Sequence, residues 1–550
     1  MKNVALVKTA ALALGAALLF SACTKAGGGE TAGGRANSWT VPHVLTMSGG
    51  AGDVSTLNPH LGQFQDIGYM ASMTMAWLIK WDEHNNAYPE LLTEIPTKAN
   101  GGVSKDGLTI TYHLRKGVKW SDGVAFNADD VVFTTNVVLN PANNEVNRAG
   151  WDQITKIDEP DKFTVVYHMK KPYSPFVENF FTSQGANPCV LPKHLLDKLP
   201  NINNAPYNAL PVGIGPFKFE RWDRAEQVVM VANPLYFRGR PKLDKVVFKL
   251  IPDRNTMLSQ VQAHEIDMWN LVPGNYLDAV TALKPYTLVR QPGYIYNHLD
   301  FNLSKPIDSD PVVRQALRLA IDREEIRNKI SHGLGVVQDV TVPPTSPYAV
   351  TDIPVTPFDI DKANALLDKG GWVLGADGIR AKNGVKLIFD FATIQGSQDV
   401  DKQIELIRVN WKKIGVDISV RHYSSATFFA PLQMGGVVYG NKWDIIGFAW
   451  NNDAIGDLSQ IYGCEEFPPK GQNNLHWCNP QAGEAMRNVY NQFEQSERNA
   501  SVRTVEEALV KDVPTIVTTM REDMFLYNKD LKNWHPNSIT PFDNMMDVDI

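Results

Sequence analysis

The sequence predicts a mixed α/β protein, and three patterns carry that reading. Leu108, Ile110, Tyr112 and Leu114 alternate with Thr109, Thr111 and His113, the period-two spacing of a half-buried strand, and Phe163, Val165 and Tyr167 repeat it. Val313, Ala316, Leu317 and Ala320 recur at helical spacing behind Pro311, whose fixed φ suits a first helical turn. Ile404, Ile407 and Trp411 form a second helical stripe that ends near Gly415. Strands and helices interleave along the chain. No repeat of about 20–50 residues points to a solenoid or propeller.

Composition narrows the class further. The 550 residues are 43% hydrophobic, 21% charged and 10% aromatic, which describes a folded, water-soluble body rather than a disordered or fibrous chain. Their number implies about three or four folding units. Lys and Arg total 53 against 60 Asp and Glu, a formal charge of −7. Such a chain has no overall attraction for nucleic acid or anionic lipid, and no basic run supplies a local one. Four cysteines without a CxxC pair exclude a disulfide-dense scaffold and a zinc ribbon.

The first residues indicate export. Lys2 and Lys8 precede a small and apolar run from Ala10 to Phe20, then Ser21-Ala22-Cys23. A positive start, a short apolar stretch and small residues before a cut site form a bacterial export signal. Its apolar run reaches about half the bilayer core, too short for a spanning helix. Cysteine directly after the small residues resembles a lipobox, with Phe20 where leucine is usual, so Cys23 is expected to carry lipid; plain signal cleavage is the alternative. Processing there leaves 51 basic against 60 acidic residues, or −9. Residues 24–38 hold five glycines and no large apolar side chain before Trp39, so they read as a flexible tether.

The stretch from Asp106 to Thr134 reads DGLTITYHLRKGVKWSDGVAFNADDVVFT. It is similar to the signature of the family 5 extracellular solute-binding proteins, the peptide and nickel receptors of ABC importers. Further segments fit in order: Thr56-Leu57-Asn58-Pro59-His60, Gly213-Ile214-Gly215-Pro216-Phe217, Asn233-Pro234, Gly239-Arg240-Pro241, Glu265-Ile266-Asp267 and Val313-Arg314-Gln315-Ala316-Leu317. The resemblance implies a periplasmic-binding-protein-like (type II) fold: two lobes joined by two hinge strands, with an additional third domain. On this chain that gives a signal peptide over 1–22, lipidated Cys23 and tether to 43, and a first lobe from 44–80, 211–295 and 520–550. The extra domain takes 81–210 and the second lobe 296–519, with hinge crossings near 292–298 and 518–524.

Local chemistry accounts for most signature residues without a ligand. Ser121-Asp122-Gly123 reads as a turn, Asn127 as a helix cap, and Asp129 and Asp130 as acids favoured by a helix N-terminus. Gly213 and Gly215 lack the third glycine of a dinucleotide loop. His264-Glu265 is not followed by the second histidine of a zinc protease, and no GxSxG elbow occurs. No catalytic residue, metal ligand or cofactor is assigned. Cys189 reads as a buried small hydrophobe. Cys464 and Cys478 are expected to bridge, as loop cysteines in this region of the family often do; two free thiols are the alternative.

The ligand question falls on residues 443–457, WDIIGFAWNNDAIGD. The run from Trp443 to Ala449 reads as a strand buried on both faces that breaks into a polar loop at Asn451, and strand ends are where open α/β domains bind ligands. In peptide-binding relatives an aspartate in the corresponding loop pairs with the peptide's α-ammonium group. The resemblance therefore assigns Asp453 that role, with Trp450 as a wall and Asn451 or Asn452 offering hydrogen bonds. Tyr69, Trp77, Trp269 and Tyr296 are the aromatic candidates for the cleft, each with a core position as its alternative. Thr427 to Gly440 contains no Arg or Lys to hold a peptide carboxylate, which favours a longer peptide or an uncharged ligand such as an oligosaccharide. The expected role is that of a monomeric, lipid-anchored receptor outside the cytoplasm, delivering peptide to an ABC permease; a secreted hydrolase and a partner-binding lipoprotein, as peptide-sensing co-receptor or chaperone, are the alternatives.

Overall fold

Ten strands of the computed structural model form one sheet, and its central pair decides the architecture. In spatial order they are Asp417–Tyr423, Ile388–Ile394, Ile445–Asn451, Tyr286–Phe301, Thr515–Asn528, Met268–Asn270, Val44–Ser48, Lys245–Lys249, Gln227–Ala232 and Phe217–Asp223. The structure describes residues 36–550 apart from 51, 63, 185–186 and 453–455. The signal segment, Cys23 and Asp453 lie outside the described residues.

The two long central strands belong to both lobes. Tyr286–Pro292 pairs antiparallel with Glu522–Asn528, which borders Met268–Asn270 of the first lobe. Further on, Ile295–Phe301 pairs with Ile445–Asn451 of the second lobe, and Tyr296–Asp300 with Thr515–Met520. Between these halves the register jumps from Pro292 opposite Glu522 to Tyr296 opposite Met520. Such a bulge interrupts the ladder and bends the strand. It lies within the stretches expected to cross between lobes.

Each lobe has its own core. In the first, Leu45, Met47, Val246, Phe248, Met268 and Phe525 are buried together. In the second, helix Pro311–Leu319 starts at Asp310, whose carboxylate accepts from the Val312 amide, with Pro311 in the first turn. Val313, Ala316 and Leu317 of its expected stripe are wholly buried, and Ala320 sits just past the helix end. Helix Gln398–Lys412 packs Ile404, Ile407 and Trp411 into the same core. Each large apolar side chain buried this way contributes about 1.5–3 kcal/mol.

The third domain centres on strands Thr109–His113, Thr164–Met169 and Ile154–Asp161, with helix Ala128–Leu139 nearby. Ile110, Tyr112, Val165 and Tyr167 all point into its core, the alternation read from sequence. Asn127 caps the helix by accepting from the Asp129 amide at 2.8 Å, and Asp130 returns the bond by accepting from the Asn127 amide. Asp129 pairs with Lys162 and Lys193. The signature acids are structural here. Asn58 donates to Asn208, and the His60 ring bonds Glu145 and the Cys189 carbonyl, each at 2.8 Å, fastening the first lobe to this domain. Gly213 and Gly215 pass so close to the end of helix Gln65–Thr74 that an added Cβ would stand 2.0 Å and 2.5 Å from its carbonyl oxygens.

One expectation is corrected. The tether was read as reaching residue 43, but the chain is tied down from Ala36. The Ala36 and Asn37 amides and the Thr40 hydroxyl donate to the Asp530 carboxylate, and Trp39 stacks on His264 at 4.6 Å. A single distant acid collects three donors, a signal that composition of the segment does not carry. Cys464 and Cys478 are bonded, and Cys189 is a buried free thiol. No helix among the described residues is long and apolar enough to cross a membrane.

Candidate functional site

A cavity of about 1260 Å³ lies where the two lobes and the third domain meet. The first lobe supplies helix Gln65–Thr74, which turns Gln65, Gly68, Tyr69 and Ser72 toward it. The register jump of the hinge supplies Tyr294 and Ile295 on one strand and Arg521 to Met524 on the other. From the second lobe come Asn451, Asn452, Asp457, Gln460 and Tyr490. The third domain adds residues from Asn147 to Gln153 and from Lys171 to Asn187.

The residues expected from sequence divide. Tyr69 lines the cavity, held edge-on to Phe542 at 4.9 Å, and burial beside Asp523 and Asp66 raises its phenol well above its ordinary pKa. Trp77 lines it with its indole N–H donated to the Asn187 carbonyl at 3.1 Å. Asn451 and Asn452 line it where the strand Ile445–Asn451 ends. Asn452 is fixed by its side-chain bond to the Thr341 carbonyl and its amide bond to Tyr294.

Three aromatic candidates are not cleft walls. Trp269 is wholly buried in the first lobe against Tyr276. Tyr296 is wholly buried with Val517 and Met520, its hydroxyl against that of Tyr462. Trp450 lies opposite Tyr296 in the ladder and stacks on His298, behind the wall rather than on it. Strand alternation turns Tyr296 and Trp450 into the packing layer while Ile295 and Asn451 beside them line the cleft.

Several lining residues had no sequence signal of their own. Gln65, Gln184 and Gln460, together with the expected Asn451, bring carboxamides that make no side-chain hydrogen bond within the described residues, so each can donate to and accept from a ligand. The charged lining residues are Asp152, Asp457, Glu522 and Asp523 against Lys171 and Arg521, an acidic balance. Glu522 is already paired with Arg290 at 2.6 Å, and Asp457 accepts from the Tyr490 hydroxyl. Burial pushes the Asp523 carboxyl up to about 6, with Arg521 opposing the shift. Burial likewise draws Arg521 below its usual value, with Asp523 opposing. One clue to Arg521 and Asp523 was available: with Glu522 between them, they are the only charged residues of their strand.

The lobes also touch away from the hinge. Glu178 of the third domain accepts from Tyr348 at 2.6 Å and from Arg498 at 2.8 Å, both in the second lobe, and these side chains are almost fully buried. The Ser174 amide and hydroxyl donate to the carbonyls of Tyr490 and Val489. Contacts of this kind across a two-lobed molecule close its cleft. No group of three or more His, Cys, Asp or Glu among the described residues is arranged to hold a metal ion.

Comparison with known proteins places this architecture. The family described as bacterial extracellular solute-binding proteins, family 5, matches residues 86–466. Oligopeptide-binding protein AppA of Bacillus subtilis (strain 168) is 27% identical over 451 residues, covering 80% of each chain. The structure of AppA from Bacillus subtilis in complex with a nonapeptide superposes with a TM-score of 0.69 at 24% identity, over 92% of this chain and 98% of that one. HbpA2 from Haemophilus parasuis reaches a TM-score of 0.79 at 20% identity, over 91% and 99% of the two chains.

Proposed function

The chain belongs to the bacterial extracellular solute-binding proteins of family 5, and on that premise we propose that it captures oligopeptides between its lobes for an ABC permease. The observation that carries this is the cleft lining: free carboxamides for peptide main chain, charges of both signs, and apolar faces from Tyr69, Trp77, Leu271, Val272 and Ile539 for side chains. Its volume of about 1260 Å³ exceeds the range of about 300–1,000 Å³ that suits drug-sized ligands, leaving room for an extended chain. Main-chain groups repeat identically along any peptide, so amide recognition is independent of sequence. Ligand bound to both lobes favours the closed form by its extra contacts there, and the permease reads that form.

Asp453 follows directly on Asn452 and is the reading's candidate for the peptide's ammonium group, a charge-assisted contact. Calorimetric titration with mixed-sequence oligopeptides tests the function: saturable binding is expected, and heat from oligosaccharides alone would overturn it. In the same assay Asp453→Asn weakens binding tenfold or more. Unchanged affinity in the folded variant removes the anchor role.

Export and anchoring complete the reading. The signal and Cys23 direct the chain out of the cytoplasm and onto a membrane by lipid, with the residues before Ala36 as the leash. Cys23→Ser is expected to move the protein from the membrane fraction to the soluble one, and a variant that stays with membranes would contradict the anchor.

A further inference from the structure

The hinge strand Thr515–Asn528 carries three charges in a row, Arg521, Glu522 and Asp523, and no others. They sit where the register jumps and the lobes join. All three line the cleft, but they differ in what already holds them. Glu522 is engaged, accepting from Arg290 at 2.6 Å and from the Gly335 amide at 2.8 Å. Its two neighbours line the same cleft without such an ion pair.

Arg521 donates from Nε and Nη2 to Asn297 Oδ1, at 3.1 and 2.8 Å. This fixes the guanidinium plane and leaves Nη1 with no acceptor among the described residues. Asp523 receives no hydrogen bond and makes no ion pair within 4.0 Å among the described residues, Arg521 included. The carboxyl is nevertheless packed in, facing Tyr69 and the backbone of Gly293, where an added Cβ would stand 2.8 Å from Oδ2. Opposite charges that line one cleft, Arg521 exposed and Asp523 half-buried, and are not paired with each other are open to a partner. A ligand carrying the complementary charges satisfies both, by charge-assisted bonds stronger than neutral ones.

We propose that Arg521 and Asp523 form a charge-reading subsite, in which Arg521 holds a ligand carboxylate and Asp523 a ligand ammonium or guanidinium group. The subsite rests on the peptide reading and makes it specific: among peptides, those that present both charges at the hinge are selected. The carboxylate can come from the C-terminus or from an acidic side chain, and the cation from the N-terminus or from a basic side chain. The missing carboxylate holder noted between Thr427 and Gly440 is thereby found on a different strand.

The test is titration calorimetry on the mature chain with one peptide containing a lysine and a glutamate. Four neutralised forms accompany it: lysine to norleucine, glutamate to glutamine, N-acetylated and C-amidated. For the parent, one cationic and one anionic neutralisation each weaken binding about tenfold or more, and which form does so identifies terminus or side chain. Asp523→Asn loses the discrimination for the cation while keeping that for the carboxylate. Arg521→Gln does the reverse, so each variant's retained half is its own proof of folding. A parent that binds all five peptides alike, or variants that keep both discriminations, overturns the subsite. A parent that binds none of them overturns the peptide reading and the subsite together.

Discussion

Glu178→Ala is expected to weaken peptide binding at least tenfold and to expand the unliganded protein in solution. Glu178 and Arg498 are 320 residues apart and come from the third domain and the second lobe, with side chains only 4% and 6% exposed. Removing one partner of a buried ion pair costs about 3–5 kcal/mol, because the other charge stays desolvated. Here Arg498 would lose this carboxylate, and Tyr348, whose ring lies 4.6 Å from the guanidinium, would lose its own acceptor. The contact exists only when the lobes meet, so the loss falls on the closed form. Apparent affinity drops in proportion to the competent fraction. Calorimetry reads the affinity and small-angle scattering the radius. Affinity and radius both equal to the parent's would show that closure does not depend on this pair.

The second large effect concerns stability. Asp308, in the short helix Pro306–Ser309, is wholly buried, and neither carboxyl oxygen has a hydrogen-bond partner among the described residues. Burial, reinforced by Asp444, pushes its carboxyl up to about 9, and Lys305 and Arg314 offset only part of this. The ordinary value is 3.8, so the unfolded chain releases this proton near pH 4 while the folded one holds it to about 9. The contribution of this group to stability is therefore most favourable below pH 4 and declines as pH rises toward 9. Asp308→Asn mimics the neutral carboxyl and removes the decline. A gain of about 2–4 kcal/mol at pH 8, shrinking toward zero at pH 4, is expected from urea unfolding. An equal effect at both pH values would contradict this account.

The elements with clear periodicity were legible because one physical fact, burial of one face, sets their pattern. Ile110 and Tyr112, and Val313 with Leu317, obey it directly. The loop at Asn451 and Asn452 could be placed because a buried strand gives way to polar residues there. Trp269, Tyr296 and Trp450 could not be sorted, since an aromatic on a strand is equally suited to either face until the partner strands are known. Arg521 and Asp523 were missed for a related reason. Their meaning depends on the register with Pro292 and Tyr296, some 230 residues earlier, and on Glu522 being already paired with Arg290. Ala36 was misread because its partner Asp530 lies at the other end of the chain.

Mass spectrometry of what leaves the purified protein on denaturation tests the central claim most directly. The account predicts peptides of many sequences, extended enough to reach both lobes and enriched in chains that carry both charges. Release of sugars or of a metal complex, with no peptide, would contradict it.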